Sequence, residues 1–553
     1  MQPYHVWVAM LLFAIASFAM CATASATQFP DEFRTIDGSE NNLDRPTWGR
    51  AGAELRRPTT IDYADGVDAP AGESRRSVRD ISNAVAAQSE SVPNALGASD
   101  FVWQWGQFLD HDISLTSVAE PAEPFDITVP QGDVFFDPEA TGAQVIHFNR
   151  SKFNRVLDVR QQINDITAYI DASNVYGSDH KRAMALRTLD GTGRLKTSAG
   201  NLLPFNVEGL PNAPNTAAAF FLAGDVRANE QVGLTAMHTL FVREHNSWAA
   251  QFRRHAALSG DDIYEYARAI VAAEMQAITY NEFLPMLLGP GALTDYSGYD
   301  PNVDAGVANV FSAAAYRLGH SMLSPVLLRL EKNGEPIPAG HLPLHEAFFN
   351  PDAIFQHGIE PILRGLAAQQ AQHLDNLIVD AVRNFLFGPP GAGGVDLAAM
   401  NIQRGRDHGL PSYNQVRKDF GLDSVTTFAD ISSDRTVRQR LRDAYDAVED
   451  IDIWVGGLAE DPIHGGLVGE TFFAILKDQF ERLRDGDRFW YQAYLSPRWV
   501  EVVESRTLAT IIRDHTSIRD EIPDDVFIVP LPDGSRQDPT QTDRHPQPSF
   551  SSP

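Results

Sequence analysis

Trp103-Gln104-Trp105-Gly106-Gln107-Phe108-Leu109-Asp110-His111-Asp112 decides how the rest of this chain is read. On a helix, Gln107, Asp110 and His111 stand at i, i+3 and i+4 and share one face, with Trp103 one turn earlier on the same stripe. Asp112 is one residue past His111 and points elsewhere. The packet thus offers an imidazole, an amide and a carboxylate in one direction and a second carboxylate in another. Buried charges need partners, so this is a costly way to build a plain core helix. It suits a pocket with a cofactor on one side and a cation on the other. Read alone, Asp-His-Asp also fits a solvated turn or a helix end.

Outward from this packet the chain reads as mainly helical. Apolar residues recur at three- and four-residue steps over 229–255 (Met237, Phe241, Trp248, Phe252) and over 262–288 (Ile263, Tyr266, Ile270, Met275, Ile278, Leu284). Further helices are expected at 98–111, 303–319, 374–387, 405–420, 434–448 and 467–484. Strand-like alternation is confined to short runs such as 325–331. Gly, Pro and Ala cluster at 117–145, 191–218 and 388–395, which read as long loops. Residues 27–60 read as an irregular arm, and the Pro-, Ser-, Gln- and Asp-rich tail 531–553 as disordered. No internal repeat is visible.

The 553 residues are 43% hydrophobic, enough for a large core, and carry a net charge of −28. An acidic balance of this size with no basic patch argues against nucleic acid and anionic membrane surfaces as partners. Residues 5–20 are almost wholly apolar and lead to Ala24-Ser25-Ala26, a small-x-small cleavage pattern. Residues 1–26 therefore read as a secretory signal peptide, placing the mature chain outside the cell or in the periplasm, with an uncleaved N-terminal anchor as the rival. The single cysteine, Cys21, lies within that segment, so the mature chain is stabilised without disulfides. No later apolar run reaches the roughly 20 residues that span a bilayer.

Four more packets carry chemistry. Asp165-Ile166-Thr167-Ala168-Tyr169-Ile170-Asp171-Ala172-Ser173 alternates oxygen-bearing with apolar residues. In an extended loop Thr167, Asp171 and Ser173 would face one way, a hard-oxygen set suited to Ca²⁺ that Asp112 could complete. A capping and turn network reads equally well. Gly224-Asp225-Val226-Arg227-Ala228-Asn229-Glu230-Gln231 holds Arg227 and Glu230 one turn apart, ordinarily a salt-bridged helix start. Ala315-Tyr316-Arg317-Leu318-Gly319-His320 closes an apolar helix. Met400-Asn401-Ile402-Gln403-Arg404-Gly405-Arg406-Asp407-His408 precedes another and could be a solvated loop.

Together with Asp487-Arg488-Phe489-Trp490-Tyr491, these packets resemble, in order and over about residues 35–525, the animal-type haem peroxidases. The resemblance implies a single large α-helical domain over 27–530, with long loops and few short strands, around a buried haem b. It implies His111 as distal histidine, Arg227 as distal arginine and Gln107 beside them. Asp110 and Glu230 would form ester bonds to the haem. Gln231 stands where some members carry a methionine joined to the haem, so no third link is expected. His320 would ligate the haem iron and donate through its other ring nitrogen to Asn401, while Arg317 and Arg404 would pair with the propionates. Asp112, Thr167, Tyr169 (through its carbonyl), Asp171 and Ser173 would ligate Ca²⁺. The activity implied is reduction of hydrogen peroxide with oxidation of halides or thiocyanate to hypohalous acids, or of phenols. A fatty-acid oxygenase of the same superfamily and a non-catalytic matrix or adhesion protein are the rivals. The first is disfavoured by Asp110 and Glu230 and by the lack of a tyrosine in His345-Glu346-Ala347-Phe348-Phe349. The second is disfavoured by intact His111, Arg227 and His320.

Overall fold

A computed structural model describes residues 29–255 and 257–529. The expected leader, Cys21 and the tail lie outside the described residues. The chain is mainly helical, with three small antiparallel sheets, as the sequence leads one to expect. No described helix is long and apolar enough to cross a membrane.

Five helices frame the centre. Helix α1 spans Asp100–Ile113 and is opened by the Ser99 hydroxyl, which accepts from Phe101 N. Helix α2, Val232–Phe252, is capped by the Gln231 side chain. Helix α3, Gly260–Ile278, begins with a capping box between Ser259 and Asp262. It continues through a π-helical turn, Thr279–Phe283, into Leu284–Leu288, ending at Gly289. Helix α4 spans Leu397–Asp407 and α5 spans Glu470–Asp485. Helices α2 and α3 pack along each other, and α1 packs on α2. Trp105, Phe108 and Phe241 are fully buried where α1 meets α2. Burying a ring of this size contributes roughly 2–3 kcal/mol.

The largest sheet joins β1 (Ala53–Glu54), β2 (Phe153–Val156) and β3 (Val159–Asn164) in the order β1-β3-β2. Ala53 faces Asn164, and Phe153 faces Gln162. The sheet anchors the end of α1, since Asn164 donates to Ile113 O and accepts from Leu115 N.

Three expected helices differ. The stretch 303–319 becomes a short helix, Asn309–Ala313, then a 3₁₀ run, Ala315–Met322, because Ala314 departs from helical geometry (φ −138°, ψ −72°). Before it, Val307 O and Asn309 N bond to Arg56, which draws the chain off a helical path. The stretch 405–420 divides into the end of α4 and Tyr413–Asp419, parted by Gly409 at φ +61° and by Pro411. In 374–387 only Asp380–Arg383 is helical. Ile378 N bonds to Ala86 O instead, so tertiary pairing overrides the helical period. The strand-like run 325–331 pairs only at Val326–Leu327, against Leu342–Pro343.

Candidate functional site

Helix α1 turns one face into a cavity of about 320 Å³. Trp103, Gln107, Asp110 and His111 all line it, as their spacing requires. The segment entering α2 adds Arg227, Glu230 and Gln231. The 3₁₀ run adds Tyr316, Arg317 and His320, and α4 adds Arg404. With three residues per turn, a 3₁₀ helix eclipses i and i+3. Arg317 and His320 therefore face the cavity together, which an α-helix would achieve less well.

His111 is 3% exposed. Its Nε2 lies 3.7 Å from Glu230 Oε2 and its Nδ1 3.6 Å from Asp225 Oδ1. Burial, then the Arg227 charge, pushes its pKa well below the usual imidazole value, so the ring is neutral and able to take a proton. Arg227 is clamped by Asp225: Nε donates to Oδ1 and Nη2 to Oδ2, each at 2.9 Å. Its backbone N–H also donates to Asp225 Oδ1, and Nη2 donates to Ser114 O. Burial pushes Asp225 up, but the Arg227 charge and the hydrogen bonds from Arg227 outweigh it and hold the carboxylate well below its ordinary value. A helix-start salt bridge, the ordinary reading of the spacing, would pair Arg227 with Glu230. The structure gives Asp225 instead, with Asp110 Oδ2 at 3.4 Å from Nη1. Sequence reasoning assigns Asp225 no role. Its signal there is a carboxylate two residues before an arginine, a common local clamp and hence easily passed over.

Asp110 and Glu230 face the cavity without close bidentate partners. Burial lifts Asp110 to about 6 and Glu230 to about 7. Gln107 Nε2 donates to Glu230 Oε2 at 3.3 Å and its amide oxygen accepts from Gln231. Gln231 also bonds Gln104 at 2.6 Å, so this side chain is spent on an amide network.

His320 is held at about 3, by burial and then by Arg317, which keeps the imidazole in its neutral, ligating form. Its Nδ1 lies 2.8 Å from Asn401 Nδ2, while Asn401 Oδ1 accepts from Arg317 Nη1. Arg317 can only donate, so it claims the amide oxygen and leaves the amide nitrogen beside Nδ1. A histidine that ligates a metal through Nε2 carries its proton on Nδ1, so holding iron requires the Asn401 amide to turn and offer its oxygen to the ring. Arg404 donates to Ser151 Oγ, Asn149 O and Asp407. A neutral histidine with one nitrogen free toward an apolar cavity, two arginines on its wall and two carboxyls facing it fit an iron macrocycle with acidic side chains.

Asp112 points away from the cavity. Its Oδ2 accepts from Asp171 N and Ala172 N, and its backbone oxygen accepts from Ser173 Oγ. Asp171 in turn accepts from Thr167 Oγ1 at 3.0 Å. The loop is not extended as expected. It proceeds by bends, with Ala172 left-handed (φ +62°) and Ser173 opening the short helix Ser173–Tyr176. Folding back, rather than alternation, gathers the oxygens. Tyr169 Oη donates to Trp48 O, so its side chain faces the N-terminal arm. Asp112 and Asp171 are both fully buried. Burial, then the neighbouring carboxylate, pushes Asp112 well up, and burial raises Asp171. Two adjacent buried carboxyls with hydroxyl and backbone oxygens make a donor set that fits a hard cation. Among the described residues no group of three or more His, Cys, Asp or Glu gathers as a metal site, so such a cation would rest on two carboxylates and neutral oxygens.

Residues 33–527 match the animal haem peroxidase family, and the chain belongs to it. Peroxinectin A of Dictyostelium discoideum is 37% identical over 509 residues, covering 88% of this chain and 94% of that protein. Peroxidasin of Drosophila melanogaster is 36% identical over 559 residues, covering 91% of this chain. The chain spans only 36% of that relative's length. Among solved structures, peroxidase A from Dictyostelium discoideum superposes with a TM-score of 0.84 at 34% identity, covering 90% of this chain and 100% of that one. A fatty acid alpha-dioxygenase of Arabidopsis thaliana shares the fold, at TM-score 0.74 and 22% identity over 90% of this chain and 83% of that one.

Proposed function

We propose that this chain is a secreted haem peroxidase that reduces hydrogen peroxide and oxidises iodide, bromide, thiocyanate or phenols. The observation that carries it is the joint placement of His111, Arg227 and His320 on one cavity, with both histidines held neutral. Bound there through His320, haem would supply the iron at which peroxide is reduced and small donors are oxidised. The chain's own residues do the rest. His111 takes a proton from one peroxide oxygen and returns it to the other as the O–O bond breaks. Arg227, fixed by Asp225, presents positive charge to the oxygen that gains electrons. Gln107 places an amide beside them. Arg317 and Arg404 would receive the cofactor's carboxylates, and Asp110 and Glu230 would join it through esters. Asp112, Thr167, Tyr169, Asp171 and Ser173 would hold Ca²⁺, fixing the end of α1 that carries His111. Residues 27–530 would form this one domain, and the apolar segment before it would be a leader.

Chloride is the hardest of these anions to oxidise. Gln231 is bound to Gln104 and Gln107 and supplies no sulfur for a third haem link, so little chlorination is expected at neutral pH. The cavity also contains one tyrosine, Tyr316, and the oxygenase-like fold makes fatty-acid oxygenation the second reading. Steady-state peroxide turnover with each halide, thiocyanate and a phenol, beside oxygen uptake on an unsaturated fatty acid, separates the two. Oxygen uptake without halide oxidation would falsify the peroxidase reading.

A further inference from the structure

Tyr316 lines the cavity, yet peroxide chemistry at His111 and Arg227 makes no use of it. Its ring stacks on Phe311 at 4.6 Å between centroids and lies 5.7 Å from Phe480. Phe480 lies 6.2 Å from Tyr280, Tyr280 lies 4.7 Å from Trp490, and Trp490 lies 6.0 Å from Tyr296. The rings thus form one unbroken file from the cavity wall to Tyr296, which is partly exposed in the loop beyond Gly289.

Core packing alone explains this file poorly. The hydroxyls of Tyr316 and Tyr296 are both buried, with no hydrogen-bond partner among the described residues. Phenylalanine would fill the same space without the roughly 1–3 kcal/mol penalty of an unsatisfied polar group. Tyr280 sits in the π-helical turn Thr279–Phe283, an irregularity that costs helical regularity and is frequent at functional sites. Its hydroxyl donates to Phe480 O, and the Trp490 indole donates to Gln492 Oε1. Every ring in the file except Phe480 is an oxidisable phenol or indole.

We propose that this file carries electrons inward from Tyr296 to the cavity, making Tyr296 a second oxidation site for phenolic donors too bulky to enter. The inference rests on the peroxidase reading above. Peroxide takes two electrons and two protons in the cavity and becomes two waters. An electron leaving Tyr316 is replaced from Tyr280, then from Trp490, then from Tyr296, with Phe480 as the packed bridge. The Tyr296 hydroxyl is buried, so the ring relays only the electron, taken at its exposed edge from a donor phenol. The donor releases its proton to solvent and leaves as a phenoxyl radical, and the two protons that peroxide needs enter the cavity from water. Two phenols are consumed per peroxide, which balances the reaction.

The test uses the haem-loaded full chain with two donors, iodide and tyramine coupled to dextran. Tyr296→Phe and Trp490→Phe are each expected to lower dextran-tyramine oxidation about tenfold or more, with iodide oxidation unchanged. Without donor, peroxide should give a protein radical by freeze-quench electron paramagnetic resonance and a spin-trap adduct at Tyr296 by peptide mass spectrometry. Both should be lost in Tyr296→Phe, a substitution at a partly exposed ring that leaves the core intact. Wild-type rates on dextran-tyramine in both variants, or iodide turnover in the wild type without any dextran-tyramine oxidation, overturns the relay. Failure of the wild type to turn over peroxide with iodide overturns the peroxidase reading instead.

Discussion

At the scale of single residues, the working unit is His111 and Arg227 tied to one carboxylate. Asp225 holds Arg227 with both oxygens and lies 3.6 Å from His111 Nδ1. Asp225→Asn keeps the volume but removes the charge and one of the acceptors, so Arg227 is freed to turn toward Asp110. The peroxide step should slow about 10- to 100-fold, the scale on which supporting hydrogen bonds tune a working group. Asp225→Glu should recover part of the loss. Stopped-flow cyanide binding, which also needs His111 as a base, should slow in parallel; an unchanged cyanide rate in Asp225→Asn would show that Asp225 only supports the fold. Asp110 and Glu230 yield a second expectation. After peroxide treatment, peptide mass spectrometry should find haem esters at these two carboxyls and nothing at Gln231. Freely extractable haem would refute it.

At the scale of elements, α1 shows what was legible and what was not. Its face could be read from Trp103, Gln107, Asp110 and His111 alone, because a helix imposes its period on whatever it carries. Helices α2 and α3 could be read for the same reason. The 3₁₀ run holding Arg317 and His320 could not, since 3₁₀ and α geometry share residue preferences and the chain just before it is drawn off a helical path by bonds from Val307 and Asn309 to Arg56, far earlier in the sequence. Asp225 was missed because its second partner, His111, is distant in sequence. The start of α1 carries a pH switch in stability. Asp100 is fully buried, and burial lifts it to about 7, against the opposing pull of the Trp103 indole and of Ser324 Oγ, which donates to it at 2.9 Å. Its folded-state pKa is thus raised above the unfolded value near 3.8. That contribution to stability is fully present below the unfolded pKa and is lost as pH rises through about 7. Each pH unit in that window costs about 1.4 kcal/mol at most. Asp100→Asn mimics the protonated form, so it should unfold at higher temperature than wild type at pH 8 and similarly at pH 4. Equal wild-type and variant melting curves at pH 8 would refute the assignment. At the far end of α1, chelation of Ca²⁺ should lower the melting temperature and the peroxide rate together, and Asp171→Asn should reproduce both without chelator.

At the scale of the whole molecule, the N-terminal arm ties the far end of the chain to the loop that faces Asp112. Asp487 is fully buried and receives Arg34, Asn41 and Gln276, so one carboxylate joins the arm, α3 and the segment after α5. Arg268 of α3 donates to the carbonyls of Arg34 and Thr35. The arm then crosses the oxygen-rich loop: Trp48 O accepts from Tyr169 Oη and Gly49 O accepts from Ala168 N. Gly49 is required there twice over. Its φ is +67°, and a Cβ would sit 2.7 Å from the Tyr169 ring. Distant parts therefore converge on the loop that positions Asp112, which is one residue from His111. Asp487→Ala leaves the Arg34 guanidinium buried without its carboxylate, a loss on the order of 3–5 kcal/mol. The arm should become cleavable near residues 29–50 under limited proteolysis. Gly49→Ala lifts the arm from the loop without unpairing any buried charge, so its global stability should fall less than that of Asp487→Ala. Calcium affinity, by titration against a chelator, should fall in both variants. If Gly49→Ala binds calcium as the wild type does, the arm is a fastening of the fold alone and the loop holds its shape without it.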